Sequence, residues 1–413
     1  MFGVESWGRG GQSALMTAPT PPPTDSRRGS ERGGPDDASP PDGPPSGSGG
    51  PPDPSSIETS RRPFVLVWEV TQACDLACDH CRADAQPARH PDELTTDEGK
   101  RLLDQARSFG PGQLVVLSGG DPLARPDLRE LVEYGTEQGL RMTLTPSGTA
   151  SLTPSVVGDL ESAGIERLAL SLDGASAESH DEFRGESGSF EQTVEAAQAA
   201  READLPLQIN TTVCAATVDE LPDIRELVAD LGAVLWSVFF LVPVGRGRVL
   251  DPVSPARAEE VMAWLSAVSE RAPFGVKTTE APHYRRVAVQ RTRDASEAPD
   301  ADGIGRRLGI TAGDGFAFVS HTGELYPSGF LPESAGNVRE ASLTERYRES
   351  DLFESLRDPD RLRGKCGACE FKHICGGSRS RAYAHTGDPL SSDPLCAYVP
   401  DGYHGPMPAG RAD

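Results

Sequence analysis

The sequence predicts an α/β protein: six strand–helix units forming a parallel sheet with helices over one or both faces, followed by a smaller α+β unit rich in cysteine. Three observations carry this. Short apolar runs alternate with amphipathic stretches from residue 64 to 271, and capping signals open several of those stretches. The alternation then gives way to clustered cysteines near the C-terminus.

Taken in order, residues 1–60 hold 12 of the 36 prolines and 11 of the 44 glycines. Such a stretch buries too little apolar surface to offset its ordering entropy, so a disordered low-complexity tail is expected. Apolar runs at 64–71, 114–118, 141–145, 167–173, 207–213 and 234–243 read as strands. Leu128, Leu131 and Val132 share a helical face between the second and third runs, and Leu221, Ile224, Val228 and Leu231 share one between the fifth and sixth. Thr95 with Glu98, and Ser189 with Gln192, have the spacing of capping boxes. Successive strand–helix units imply parallel pairing, because a parallel connection needs a long crossover. Chemistry is then expected at the C-terminal strand ends. A helix at 255–271 ends the rhythm, and a core spanning 61–290 follows. The polar, Gly-rich segment at 291–315 reads as a linker or mobile loop. Residues 316–330 predict a β-hairpin turning at Thr322-Gly323, then a short helix at 342–348. The unit at 316–413 is small enough to need support beyond its apolar core, and a metal centre would supply it.

The 413 residues carry 40 Lys+Arg against 63 Asp+Glu, a formal charge of −23. That balance argues against nucleic acid as a partner, since phosphate binding needs a basic surface. No apolar run approaches the ~20 residues of a membrane span, and the N-terminus has no apolar leader, so a cytoplasmic, membrane-free protein is expected. Only Lys100, Lys277, Lys365 and Lys372 are lysines. A carboxylate excess with so little lysine points to a salt-rich cytosol, where screening removes self-repulsion. The 8 cysteines are clustered, which in such a compartment indicates metal or redox chemistry rather than a disulfide framework.

The first cluster is Cys74-Asp-Leu-Ala-Cys78-Asp-His-Cys81, directly after the first strand. Three thiolates on a four-iron cube leave one iron open to another ligand. A zinc site completed by His80 or Cys214 is the alternative on spacing alone. The second group is Cys366-x2-Cys369-x5-Cys375 followed by Cys396, four thiols that suit either a zinc ribbon or a closed four-iron cluster.

The C-x3-C-x2-C loop after the first strand of a repeating β/α chain resembles the radical S-adenosylmethionine (SAM) superfamily, whose fold is a partial (β/α)6 barrel. Further segments match in order. Ser118-Gly119-Gly120-Asp121-Pro122 resembles the family's Gly-Gly-Glu motif, which holds the SAM amino group; Asp121 is a shorter acid than the usual Glu, so main-chain carbonyls take a larger share. Thr145-Pro-Ser-Gly-Thr149 ends the third strand, and Ser171-Leu-Asp-Gly174 ends the fourth and leads into Arg184. The resemblance implies that Ser171 and Arg184 meet the SAM carboxylate or ribose. It also implies that Asn210 lies near the ribose and that Leu241-Val-Pro-Val-Gly245 lines the adenine. With these it implies a SAM-binding [4Fe-4S] cluster on Cys74, Cys78 and Cys81, and a reducing electron donor such as ferredoxin or flavodoxin.

Behind such a core, the cysteine quartet resembles the SPASM/twitch extension, which carries auxiliary clusters. Ser328 and Ser378 stand where further cysteines are expected, so the resemblance implies one auxiliary [4Fe-4S] cluster on Cys366, Cys369, Cys375 and Cys396. Cys214, alone after the fifth strand, reads as a buried small apolar residue. Val-Thr-Gln-Ala-Cys74, His80-Cys81-Arg82-Ala83, Gly139-Leu-Arg-Met-Thr143 and Gly376-Gly-Ser-Arg-Ser-Arg-Ala382 resemble the branch acting on haem precursors. That branch implies oxidative decarboxylation of a tetrapyrrole propionate. Maturation of a ribosomally made peptide is the second reading, and a non-catalytic iron–sulfur or zinc scaffold the third. Arg285 and Arg286, with His283 and Tyr284, are candidate contacts for the propionates and macrocycle, the alternative being an ordinary surface helix. His321 reads as structural, and Arg379 and Arg381 as offsets to thiolate charge.

Overall fold

The computed structural model describes residues 58–294 and 310–408; all but the last three residues of the tail expected at 1–60, and most of the linker expected at 291–315, lie outside them. A nine-stranded sheet organises the chain in the order β7-β6-β5-β4-β3-β2-β1-β8-β9. The expected strands are β1 (Val65–Glu69), β2 (Leu114–Ser118), β3 (Arg141–Leu144), β4 (Ile165–Ser171), β5 (Leu207–Val213) and β6 (Leu235–Phe240), all parallel. Two further strands extend the sheet. On one side β7 (Gly275–Thr279) pairs parallel with β6, and on the other β8 (Phe316–Val319) pairs parallel with β1. The expected hairpin thus continues the main sheet: β9 (Leu325–Tyr326) returns antiparallel after a turn at Gly323, whose φ of +88° suits glycine.

The sheet curls into a half-barrel with helices on its convex face. These are α1 (Thr96–Arg107), α2 (Leu128–Glu137), α3 (Pro154–Ser162), α4 (Ala177–Arg184), α5 (Ser189–Glu202), α6 (Leu221–Asp230), α7 (Pro255–Ser269) and α8 (His283–Asp294). One apolar core lies beneath them, including Leu66, Trp68, Val115, Leu117, Leu168, Leu170, Ile209, Trp236 and Val238 from the strands and Leu102, Leu103, Leu131, Val132, Ile224 and Val228 from the helices. Each such side chain contributes about 1.5–3 kcal/mol on burial. The close seat of α1 on β1 depends on Gly99: a Cβ there would lie 2.6 Å from the Trp68 ring.

The capping box at Thr95 and Glu98 is present. The one at Ser189 and Gln192 is not. Ser189 is inside α5, its hydroxyl 3.3 Å from His180 Nε2, and Gly188 is the N-cap residue. Asp181 serves that end instead, accepting from the Gly188 and Phe190 N–H groups at 2.6 and 2.8 Å. The C-terminal part adds α9 (Leu343–Glu349), the short helix expected at 342–348, then α10 (Asp351–Arg357), α11 (Gly364–Ala368) and α12 (Arg379–Thr386).

Candidate functional site

The C-terminal strand ends place the expected residues around one loop. Leaving β1, the chain passes through Cys74 and Cys78, both buried, and Cys81, half-buried, packed with Leu76 and Ala85. The loop is held by its backbone. Cys74 N–H donates to the Gln86 carbonyl (2.8 Å), and the loop after β6 reaches across to close the other side. There Arg246 donates from Nε to the Cys78 carbonyl (2.9 Å), from Nη1 to the Ala85 carbonyl (3.0 Å) and from its backbone N–H to the Cys81 carbonyl (3.0 Å). Gly245, at φ +55°, permits the approach, since a Cβ there would sit 2.5 Å from the Cys81 carbonyl oxygen.

Gly119 and Gly120 bring the loop after β2 against the same backbone. A Cβ at Gly120 would stand 2.4 Å from the Ala73 carbonyl oxygen, and the Asp121 N–H donates to that carbonyl at 2.6 Å. The Asp121 carboxylate is buried and engaged within the protein. It accepts from the Leu123 N–H (3.1 Å) and the Thr149 hydroxyl (2.9 Å), joining the loops after β2 and β3, while burial pushes its pKa up. Ser147 bridges these loops to the cysteines: its hydroxyl donates to the Gly120 carbonyl at 2.6 Å and lies 3.4 Å from Cys74 Sγ.

Arg184, buried at the end of α4, donates to the Ser147 carbonyl (2.9 Å) and lies 3.5 Å from Asp173. Burial opposes its charge, but the thiols of Cys78, Cys74 and Cys81, with Asp173, outweigh it and raise its pKa. Arg184 Nε and Asp173 Oδ2 are buried without hydrogen-bond partners among the described residues. Beside them, His80 stacks on Phe183 at 4.6 Å, and burial pulls its imidazole down to about 4 against the pull of Asp173. Ser171 and Asn210 are register partners at the ends of β4 and β5, and the Leu172 N–H donates to the Asn210 carbonyl (2.8 Å). Cys214 is fully buried with Phe183 and Leu241, away from the triplet's packing.

The quartet also comes together. Cys366, Cys369, Cys375 and Cys396 line one small cleft, partly open to solvent, with Arg286, Lys365 and Lys372 on its walls. Burial pushes the Cys375 thiol up to about 12 and the Cys396 thiol up to about 11. The same sign holds at Cys74 and Cys78. Buried thiols of this kind ionise when a metal supplies the missing positive charge. Among the described residues no three His, Cys, Asp or Glu side chains converge on a single ion.

Several expected residues have other duties. His283 is fully buried, and Arg286 makes a two-pronged ion pair with Glu259 at 2.5 Å. Arg285 donates to the carbonyls of Ile374 and Ile310 (2.8 and 2.7 Å), and the Tyr284 hydroxyl to Ser269 at 3.4 Å. Of these, Arg286 lines the quartet's cleft. Arg379 donates to Cys366 Sγ at 3.7 Å, whereas Arg381 is buried on Asp393 at 3.1 Å and donates to the carbonyls of Leu241, Phe240 and Glu280. Ser328 and Ser378 meet: both hydroxyls, and that of Ser380, donate to the Glu280 carboxylate. His321 Nδ1 lies 2.6 Å from Glu69. Sequence reasoning missed Ser147, Asp173, Arg246 and Glu280 as site-builders. Ser147 and Asp173 lay within motifs it had singled out; Arg246 and Glu280 did not.

A cysteine-bearing loop at the C-terminal rim of a parallel half-barrel, packed against a Gly-Gly loop, defines the class. The chain belongs to the radical SAM superfamily, whose family model matches residues 68–228. It is therefore an enzyme, and its family implies SAM and a [4Fe-4S] cluster as cofactors. It is 44% identical over 347 residues to a protein of Methanosarcina barkeri named AdoMet-dependent heme synthase, covering 83% of this chain and 99% of that protein. A protein of the same name from Nitratidesulfovibrio vulgaris is 40% identical over 341 residues, covering 81% of this chain and 92% of that one. The fold is similar to the crystal structure of Streptococcus suis SuiB bound to S-adenosylmethionine, with a TM-score of 0.64 at 19% identity, covering 82% of this chain and 78% of that one.

Proposed function

We propose that this radical SAM enzyme acts in haem biosynthesis, in the cytoplasm, and oxidatively decarboxylates propionate side chains of an iron-coproporphyrin. The observation that carries the reading is the 44% identity, along 99% of its length, to a protein named AdoMet-dependent heme synthase. Among the described residues no helix is long and apolar enough to cross a membrane. In this reading residues 61–290 form the radical SAM core and 316–413 the auxiliary-cluster part.

Cys74, Cys78 and Cys81 would hold the SAM-binding [4Fe-4S] cluster. When bound and reduced, that pair of cofactors supplies a 5′-deoxyadenosyl radical able to take a hydrogen atom from the substrate. The protein supplies position and exclusion of water. Gly119 and Gly120 let main-chain carbonyls approach the amino group, while Asp121 holds the loop's shape. Arg184, with its buried unpartnered Nε, offers a donor to the SAM carboxylate. Ser171 and Asn210, register partners across β4 and β5, would meet the carboxylate or ribose, and the segment Leu241–Gly245 would line the adenine. Cys366, Cys369, Cys375 and Cys396 would hold one auxiliary [4Fe-4S] cluster, which, fully ligated, suits electron transfer. One such cluster rather than two fits the engagement of Ser328 and Ser378 with Glu280. An external low-potential donor such as ferredoxin or flavodoxin would reduce the enzyme. The charge of −23 with four lysines supports a salt-rich cytosol as its working medium.

The test is anaerobic incubation of iron-loaded protein with SAM, dithionite and iron-coproporphyrin. The expected outcome is 5′-deoxyadenosine together with a porphyrin lighter by one or two formic acid units. Deoxyadenosine formed without any change in the porphyrin would turn the reading towards peptide maturation. Iron and sulfide near about eight each per chain support two four-iron clusters.

A further inference from the structure

At the quartet, Arg379 and Lys365 are buried with no carboxylate within ion-pair distance among the described residues. Arg379 opens α12 and is 3% exposed; Lys365 precedes Cys366 in α11 and is 2% exposed. Their hydrogen bonds run to carbonyls and a sulfur. Arg379 donates from Nε to the Gly377 carbonyl (3.2 Å), from Nη1 to the carbonyls of Pro389 and Ser391 (2.8 Å each) and from Nη2 to Cys366 Sγ (3.7 Å). Lys365 donates to the Cys396 carbonyl. In a chain with 63 acidic residues against 40 basic ones, a buried cation without a carboxylate is costly unless another anion stands beside it. Here the neighbouring groups able to carry negative charge are the thiols.

The backbone is shaped for the Arg379 contact. Gly377 has a φ of +70°, and a Cβ there would lie 2.6 Å from Arg379 Nη2 and 3.2 Å from Cys366 Sγ, crowding both ends of the bond. Cys366 Sγ also accepts from the Asp393 N–H at 3.4 Å, while the Asp393 carboxylate is taken by Arg381 at 3.1 Å. The triplet is surrounded differently. Its buried cation, Arg184, stands 3.5 Å from the Asp173 carboxylate, and the adjoining loop buries Asp121. The quartet therefore has the more positive surroundings. Reducing a cluster adds one negative charge, and a fixed cation donating to a ligating sulfur in a water-poor setting favours that reduced form.

We propose that Arg379, supported by Lys365, sets the reduction potential of the quartet's cluster above that of the triplet's and so makes the quartet the electron acceptor of the reaction. The inference rests on the reading of the quartet as a closed four-iron cluster. The electron count of a propionate decarboxylation calls for such an acceptor. Loss of a hydrogen atom from the β-carbon, followed by cleavage of the bond to the carboxylate, yields a vinyl group, CO2 and one surplus electron. The hydrogen leaves with the deoxyadenosyl group, and the electron passes to the oxidised cluster, which is reduced by one unit.

The experiment is a redox titration of the iron-loaded full chain, followed by electron paramagnetic resonance, for the wild type, Arg379→Met, Arg379→Lys and Lys365→Met. Added SAM shifts the triplet's signal and leaves the quartet's in place, which tells the two apart. In the wild type the quartet's midpoint is expected above the triplet's. Arg379→Met should lower it by at least the ~59 mV that corresponds to a tenfold change in a one-electron equilibrium. Lys365→Met should lower it less, because its ammonium reaches a carbonyl rather than a sulfur. Arg379→Lys keeps the charge and should lie closer to the wild type than to Arg379→Met. The triplet's midpoint should stay fixed throughout. An unchanged quartet midpoint in both Met variants, with iron retained, would overturn the proposal and leave the cluster standing. Where Arg379→Met fails to hold the quartet's iron, Lys365→Met decides: a lowered midpoint sustains the proposal and an unchanged one overturns it. Zinc in the quartet, or only about four irons per chain in the wild type, would remove the auxiliary cluster itself and the proposal with it.

Discussion

Arg246 shows how much of this site rests on side chains that touch no expected cofactor. Its guanidinium satisfies the carbonyls of Cys78 and Ala85, and truncation leaves both without their donor, at a cost of roughly 1–3 kcal/mol per buried group. That cost falls on one loop, so its effect should be local. Arg246→Ala is expected to lose iron selectively, falling by about four atoms per chain on anaerobic gel filtration. The melting temperature should drop only a few degrees. Arg246→Lys, with a single ammonium in place of a planar fork, should be intermediate. Full iron retention in Arg246→Ala would show that the Gln86 and Gly120 contacts suffice. None of this was legible beforehand, because a carbonyl that needs a donor leaves no mark on the sequence. The thiols themselves were legible, since a single short loop carries all three.

Secondary structure was readable where burial dictated composition and obscure where it did not. The six expected strands stand out because each sends apolar side chains into the convex core. β7 was missed because Lys277, Thr278 and Thr279 are polar and only Val276 packs against the core. The Thr95–Glu98 capping box was read correctly, and it is tied further. Arg339 donates to Glu98 Oε1 at 2.7 Å, linking α1 to the C-terminal segment, and this contact first, with the Thr95 bonds, lowers the Glu98 carboxyl to about 2. Thr95→Ala should therefore cost about 1 kcal/mol in thermal or denaturant unfolding. The pH dependence has a definite sign. The folded value lies below the ordinary 4.5, so the Glu98 contribution is whole above that pH and is lost as pH falls towards 2. A Glu98→Gln variant should consequently differ from the wild type in stability at pH 6 and converge with it as both are acidified. A gap that stays constant would place the contribution in shape rather than charge.

Two electrostatic effects of opposite sign compete across the molecule, and salt decides between them. Exposed pairs such as Arg257 with Asp219 and Arg129 with Glu133 weaken on screening, but such solvated pairs contribute little to begin with. Against them stands a net charge of −23, whose repulsion is summed over the whole surface. At ~0.1 M salt the screening length is about 10 Å, long enough for neighbouring carboxylates to repel; at ~1 M it is about 3 Å, which silences all but direct contacts. The surplus therefore outweighs the pairs, and added KCl should stabilise the fold. Thermal melts of the iron-loaded protein in 0.1 M and 2 M KCl should show a rise of several degrees, at roughly 2–4 °C per kcal/mol for a domain of this order. Repeating the melts with an uncharged osmolyte at matched osmolality separates screening from preferential exclusion. An equal melting temperature in both salt conditions would mean that the ion pairs balance the surplus, and the composition would then say nothing about the medium in which the enzyme works.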